Sequence, residues 1–132
     1  MNKIERFDDI IAWQKAWELT RQIYGCTKVG LFARDFGLRD QIQRSSVSTM
    51  ANIAEGFERG GDKEFIQFLS HSKGSCGEVK SHLYVALDQQ YVTGDQFKLL
   101  YDQADEVSRL AAGFMAYLQS SAVRGHKFKR PT

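Results

Sequence analysis

Pro131 is the only proline in a chain of 132 residues. Proline lacks an amide hydrogen and its ring clashes with the preceding helical turn, so it is the strongest breaker of a helix interior. Everything before Pro131 is therefore free to run as long helices. Glycines do the punctuating instead. Gly30, Gly37, Gly60-Gly61 and Gly94 separate four segments of helical period.

The spacing predicts a first helix over about 8–27. Trp13, Ala16, Trp17, Thr20, Ile23, Tyr24 and Thr27 share its core face, and Asp8 and Asp9 offer capping oxygens. A loop over about 28–36 follows. The second helix is expected over about 37–58, with Ile42, Ser46, Met50, Ile53 and Phe57 buried. Gly60-Gly61 ends it, because glycine accepts the left-handed conformation of a helix C-terminus. Asp62 is placed to cap a third helix reaching about Gln90, with Phe65, Phe68, Leu69, Ser72, Cys76, Val79, Leu83, Ala86 and Leu87 inside. Thr93-Gly94-Asp95-Gln96 fits a capping box for the fourth. Its stripe is Phe97, Leu100, Tyr101, Ala104, Val107, Ala111, Phe114 and Leu118.

Four amphipathic helices with short connections imply an all-α fold, an antiparallel up-down-up-down four-helix bundle. With 42% hydrophobic and 26% charged residues, one domain of this length can bury a core without disulfides or a structural metal. Residues 1–121 are assigned to the bundle. Residues 122–132 lack apolar period and are expected to be a disordered tail. No stretch approaches the roughly 18 apolar residues of a membrane span. The N-terminal residues lack the apolar core of a signal peptide, so a cytoplasmic location and no membrane partner are expected. Cys26 and Cys76 have no metal-ligand or CxxC spacing and read as small buried hydrophobes.

A second, polar stripe overlays this pattern. On helix 2, Gln41, Arg44, Ser45, Ser48, Asn52 and Glu55 fall within about 100° of the wheel, opposite the apolar stripe. On helix 3, His71, Ser75, Glu78 and His82 form one line. A hairpin turning at Gly60-Gly61 sets Arg44 level with Glu78 and Ser48 level with Gly74, so an Arg44–Glu78 ion pair is expected. Three readings of the stripe stay open: a solvated face, a subunit interface, or a ligand or metal site. Di-iron bundles use Glu-x-x-His pairs, whereas Glu78 and His82 lie four apart and no second such pair exists. No metal or cofactor is expected. Phosphate-loop, dinucleotide and nucleophile-elbow motifs are absent. Ser75 in mid-helix has its neighbouring amides already bonded and so lacks an oxyanion hole. No catalytic residue is assigned.

Charge is unevenly placed. Arg124, Lys127, Lys129 and Arg130 sit in the last eleven residues with no acid, while the other 121 residues hold 14 basic and 16 acidic groups. A mildly acidic body thus carries a basic tail. These four cations are the candidate nucleic-acid contacts.

Three ordered segments resemble one bacterial family. Phe7-Asp8-Asp9-Ile10 followed by Trp13-Gln14-Lys15-Ala16 is similar to its F-x-D-L-x-V-W-Q-K-A opening. Gln41 to Ser48 and Asn52-Ile53-Ala54-Glu55-Gly56 resemble its central Q-I-R-R-A-x-x-S-x-x-x-N-I-A-E-G. Gly74-Ser75 with Glu78 resembles its G-S-x-x-E. The family is that of four-helix bundle proteins related to those encoded in 23S rRNA intervening sequences, also called a 23S ribosomal protein family. The accessory variability proteins of diversity-generating retroelements are distant relatives.

The resemblance implies ring-shaped homopentamers without enzymatic activity and an association with RNA, with the ribosome or with a nucleic-acid-processing protein. It makes Gln41, Arg44, Ser48, Asn52, Glu55, Gly74, Ser75 and Glu78 an expected interface or interhelix set. Five tails in one ring would present about twenty charges, enough for avidity. A protein-interaction scaffold with no nucleic-acid role is the alternative. The chain departs from the pattern at Leu31-Phe32-Ala33-Arg34, where the family commonly has proline. It departs again at Ser72-Lys73 and at Gly77, a flexible residue inside helix 3.

Overall fold

In the computed structural model, residues 4–123 are described, and the four periodic segments are helices: α1 (Ile11–Thr27), α2 (Phe36–Arg59), α3 (Asp62–Asp88) and α4 (Gly94–Val123). Contacts between helices fix their directions. Thr20 of α1 reaches Ser46 of α2, while Thr27 reaches Gln43. Ser72 of α3 reaches Thr49, whereas Phe65 packs on Phe57. Lys80 pairs with Asp105 of α4, whereas Phe65 packs on Phe114. Numbers rise on one helix as they fall on its neighbour, so each consecutive pair is antiparallel. α1 also packs on α4, which closes the four-sided bundle. The described residues contain no strand.

The core forms two clusters along the bundle. Toward one end Ala12, Ala16, Ile53, Phe57, Phe65, Leu69 and Leu118 meet; toward the other, Leu19, Ile23, Phe32, Ile42, Leu83 and Leu100. The expected stripes of α2, α3 and α4 face inward. In α1 the inner line is Ala12, Ala16, Leu19 and Ile23. Trp13, beside that line, is only half-buried. Trp17 is 46% exposed, which corrects its placement in the core. Its ring stacks on Trp13 at 5.5 Å and carries the Arg21 guanidinium at 5.3 Å.

Helix ends follow local chemistry, with two corrections. Asp8 and Asp9 do not cap α1. They belong to a preceding 3-10 turn, Phe7–Asp9, where Asp9 Oδ2 accepts the Glu5 and Arg6 amides at 2.9 and 3.0 Å. Those bonds hold the Asp9 carboxyl below its usual range. Gly61, not Asp62, is the N-cap of α3, and Asp62 sits in the first turn beside the positive end of the dipole. The capping box at α4 forms as expected: Gln96 N donates to Thr93 Oγ1 at 3.1 Å and Thr93 N to Gln96 Oε1 at 2.8 Å. Gly60 ends α2 at φ +93°.

The loop after α1 is more structured than its composition suggests. Phe32, inside a 3-10 turn of Phe32–Arg34, is buried and stacks on Tyr91 at 5.1 Å. Tyr91 Oη donates to Asp35 Oδ2 at 2.9 Å, while Asp35 Oδ1 caps α2 through Leu38 N at 3.1 Å. Gly74 and Gly77 leave α3 unbroken. A Cβ at either would meet nothing within 4 Å, so neither glycine serves close packing inside the chain.

Candidate functional site

The polar stripe of α2 does not lie opposite the core, as expected, but along the seam with α3. Ser45 and Ser75 are buried, Ser48 and Asn52 half-buried, and Gln41, Arg44 and Glu78 exposed. The expected register holds to within about a residue: Ser48 meets Ser75, next to its level counterpart Gly74. The antiparallel turn at Gly60-Gly61 is what sets it.

Part of the stripe is spent within the chain. Ser75 Oγ donates to Ser48 Oγ at 2.8 Å, and Asn52 Nδ2 donates to Ser48 Oγ and Ser48 O, both at 2.9 Å. Ser48 Oγ thus accepts twice and keeps a hydrogen with no acceptor among the described residues. Glu55 is turned away from the seam and pairs with Arg59 at 2.8 Å. That bond holds the Arg59 guanidinium above its ordinary pKa. Gly74 is exposed beside the seam.

The rest lines a shallow recess of about 280 Å³ formed by Gln41, Arg44, Ser45, Ser48, Glu78 and His82. Arg44 and Glu78 face this recess from opposite helices, yet no ion pair joins them, nor does either pair with any other described residue. The expected Arg44–Glu78 bridge is therefore not formed. Both side chains are exposed on long stems, and a solvated pair of that kind gains little by closing.

His82 bridges the seam. Its Nδ1 lies 3.3 Å from Ser45 Oγ. The level partner of Ser45 lies about a turn nearer the start of α3. The offset arises because helical side chains lean toward their own N-terminus, so on antiparallel helices they lean past one another. Ser45 Oγ already donates to Gln41 O at 2.7 Å. The hydrogen between His82 and Ser45 must then sit on Nδ1, which makes imidazole the donor and leaves Nε2 as its acceptor. A histidine in that tautomer cannot act as base toward Ser45. Burial pushes the His82 pKa below its ordinary value, partly opposed by Glu78. Among the described residues, no group of three His, Cys, Asp or Glu side chains converges as a metal site would. No described helix is long and apolar enough to cross a membrane.

A larger groove, about 430 Å³, runs between α1 and α4 beside Arg21, Cys26, Val29, Gln96 and Leu99. Its charges, Glu18 and Arg21, already pair at 3.7 Å, so it gathers no unspent opposite charges as the recess does. Cys26, half-buried, and Cys76, buried, are free thiols whose pKa values burial pushes to about 11 and about 12. Arg124, Lys127, Lys129 and Arg130 lie outside the described residues.

Two features of the site escape a reading of the sequence. The Ser45–His82 contact depends on side-chain lean, which a level-matching rule ignores. Gly56 stands in the sequence only as part of a motif. In the fold it faces α3 at close range: a Cβ there would stand 2.7 Å from Phe68 Cβ and 2.9 Å from Phe65 Cδ1.

Comparison with known proteins supports the arrangement. A solved structure of a protein with unknown function from the S23 ribosomal protein family of Bacteroides thetaiotaomicron VPI-5482 superposes with a TM-score of 0.74 at 21% identity, covering 80% of this chain and 96% of that one. It shares the fold. No curated protein matches the sequence significantly. The profile of the 23S rRNA-intervening sequence protein family matches residues 8–113, a span that contains all four helices' core stripes but for the end of α4. The chain belongs to the 23S rRNA-intervening sequence protein family.

Proposed function

We propose that the protein is a non-enzymatic, cytoplasmic, self-assembling bundle, a homopentamer by its family resemblance, that binds RNA through Arg124, Lys127, Lys129 and Arg130. The α2–α3 seam is its assembly surface. The observation that carries this reading is the pair of level, unpaired charges, Arg44 and Glu78, facing one recess beside Gln41 and the free hydrogen of Ser48. Charges of both signs with unspent hydrogen-bonding capacity suit a neighbouring copy, which can answer each with its opposite. A closed ring joins two different patches, and charge fixes their register. Against catalysis stands the engagement of the Ser45 proton by Gln41 O.

RNA binding is tested by fluorescence anisotropy of a labelled structured RNA at about 50 and about 200 mM salt. Tight binding that weakens with salt, and that weakens further when residues 124–132 are deleted, is the expected result. Each cation–phosphate pairing that the deletion removes should reduce the salt slope by about 0.9. The second reading, a protein scaffold with no nucleic-acid role, is favoured by the acidic body, 14 basic against 16 acidic groups in residues 1–121. Absence of binding at the lower salt would establish it over the first.

A further inference from the structure

The three most exposed large hydrophobic residues of the described chain belong to one short segment. Val29 is 64% exposed, Leu31 66% and Phe36 64%. They are not on a loose tip. Phe32, between them, is anchored in the core against Tyr91. Tyr91 Oη holds Asp35, which in turn caps α2. Arg39 Nη1 donates to Ala33 O at 3.0 Å, and its guanidinium lies 4.8 Å over the Phe36 ring. Gly30 takes φ +61°, which lets the chain turn between Val29 and Leu31. The fold thus holds Leu31 and Phe36 outward while it pins Phe32 inward. Bulky apolar groups displayed on a rigid frame lose little entropy when covered, and such patches mark interaction surfaces.

The rim of this patch is cationic. Residues 28–40 hold Lys28, Arg34 and Arg39 against Asp35 and Asp40; Asp35 is engaged by Leu38 N and Tyr91 Oη and Asp40 by Arg39, so Lys28 and Arg34 are the unpaired charges. The remainder of residues 1–121 holds eleven basic and fourteen acidic groups. An apolar centre with a cationic rim therefore projects from an acidic body. The surface most complementary to it that is always present at equal concentration is the acidic body of another copy. Phosphate chemistry fits less well, since Arg39 is tied to Asp40 at 3.1 Å and to Ala33 O, leaving only Lys28 and Arg34 unspent.

We propose that the loop joining α1 to α2, through Val29, Leu31 and Phe36 with Lys28 and Arg34 at its edge, is the docking element by which one copy engages the acidic surface of the next. This rests on the self-assembly reading above and names a second patch for it, separate from the α2–α3 recess.

The test compares the full-length chain with Leu31→Ser/Phe36→Ser and with Lys28→Glu/Arg34→Glu, by light scattering coupled to size exclusion and by sedimentation over a dilution series. Circular dichroism checks that each variant keeps its helix content, and the charge-reversal pair leaves the apolar residues in place. Expected is a multimeric parent, with both variants shifted toward monomer and at least a tenfold rise in the dissociation constant. A multimeric parent whose two variants keep its mass at every dilution overturns the loop assignment and leaves assembly standing. A parent that is monomeric throughout overturns the assembly reading and this inference with it. Should the variants retain their mass but lose affinity for the labelled RNA, the loop is a nucleic-acid contact, and the docking role is refuted.

Discussion

Substituting alanine for glycine at two places in the same hairpin should change stability in opposite directions. At Gly56 an added Cβ would lie 2.7 Å from Phe68 Cβ and 2.9 Å from Phe65 Cδ1. Phe68 Cβ is fixed to its backbone, so relief requires α3 to move away from α2. Overpacking of that kind costs about 1–3 kcal/mol, and the rigid neighbour argues for the upper half of the range. Alanine recovers about 1 kcal/mol of helix propensity. The net for Gly56→Ala is a loss of about 1–2 kcal/mol. At Gly77 an added Cβ meets nothing within 4 Å. Only the propensity remains, so Gly77→Ala gains about 1 kcal/mol. Urea unfolding followed by circular dichroism measures both. With a slope of about 1–3 kcal/mol per molar urea, the two midpoints should part by about 1 M, on opposite sides of the parent. A Gly56→Ala midpoint at or above that of the parent would refute the claim that this glycine exists to admit α3.

Three further outcomes follow from the same geometry. His82 is held neutral by burial below its ordinary 6.5, so the unfolded chain takes up a proton there that the folded chain resists. Its stabilising share is complete above 6.5 and falls as pH drops through that value toward the folded pKa; His82→Gln should flatten this limb in urea titrations, and an unchanged limb would assign it elsewhere. Lys80, 21% exposed, donates to Asp105 at 2.7 Å and lies 5.1 Å over Tyr101, and its hydrogen bond holds the Asp105 carboxyl below 3.8. A double-mutant cycle should give a larger coupling there than for the exposed Lys98–Asp102 pair, and equal couplings would contradict the role given to burial. Cys26 and Cys76, raised to about 11 and about 12, should react with a disulfide reagent at neutral pH only after unfolding; rapid labelling of either in the native protein would contradict its burial.

How much of this was legible beforehand differs by feature. Helix number, the α2–α3 turn and the α4 capping box were readable because each depends on residues within a few positions of one another. The Thr93–Gln96 box and the Gly60 terminus are local hydrogen bonding and local backbone freedom. Asp8, Asp9 and Asp62 show where such reading slips. Each carries a capping oxygen, but the chain entering α1 bends into a separate turn, and α3 starts one residue earlier than the acid suggests. Trp17 was misplaced for a different reason. Its ring lies beside the inward line of Ala12, Ala16, Leu19 and Ile23, and periodicity alone does not fix the rotation of the helix finely enough to tell the line from its flank.

Periodicity, turn chemistry and ordered motifs were enough to set the class of fold, the register of the central hairpin and the family. Which polar residues were consumed and which were left over depended on how the helices pack. Ser48, Ser75 and Asn52 satisfy one another across the seam, while Arg44 and Glu78, level and chemically matched, remain apart. Helical position places a side chain on a face, but whether two side chains meet depends on lean, length and the angstrom-scale spacing of two backbones. The same spacing leaves no room for a Cβ at Gly56 and open space at Gly77, though both are glycines within helices.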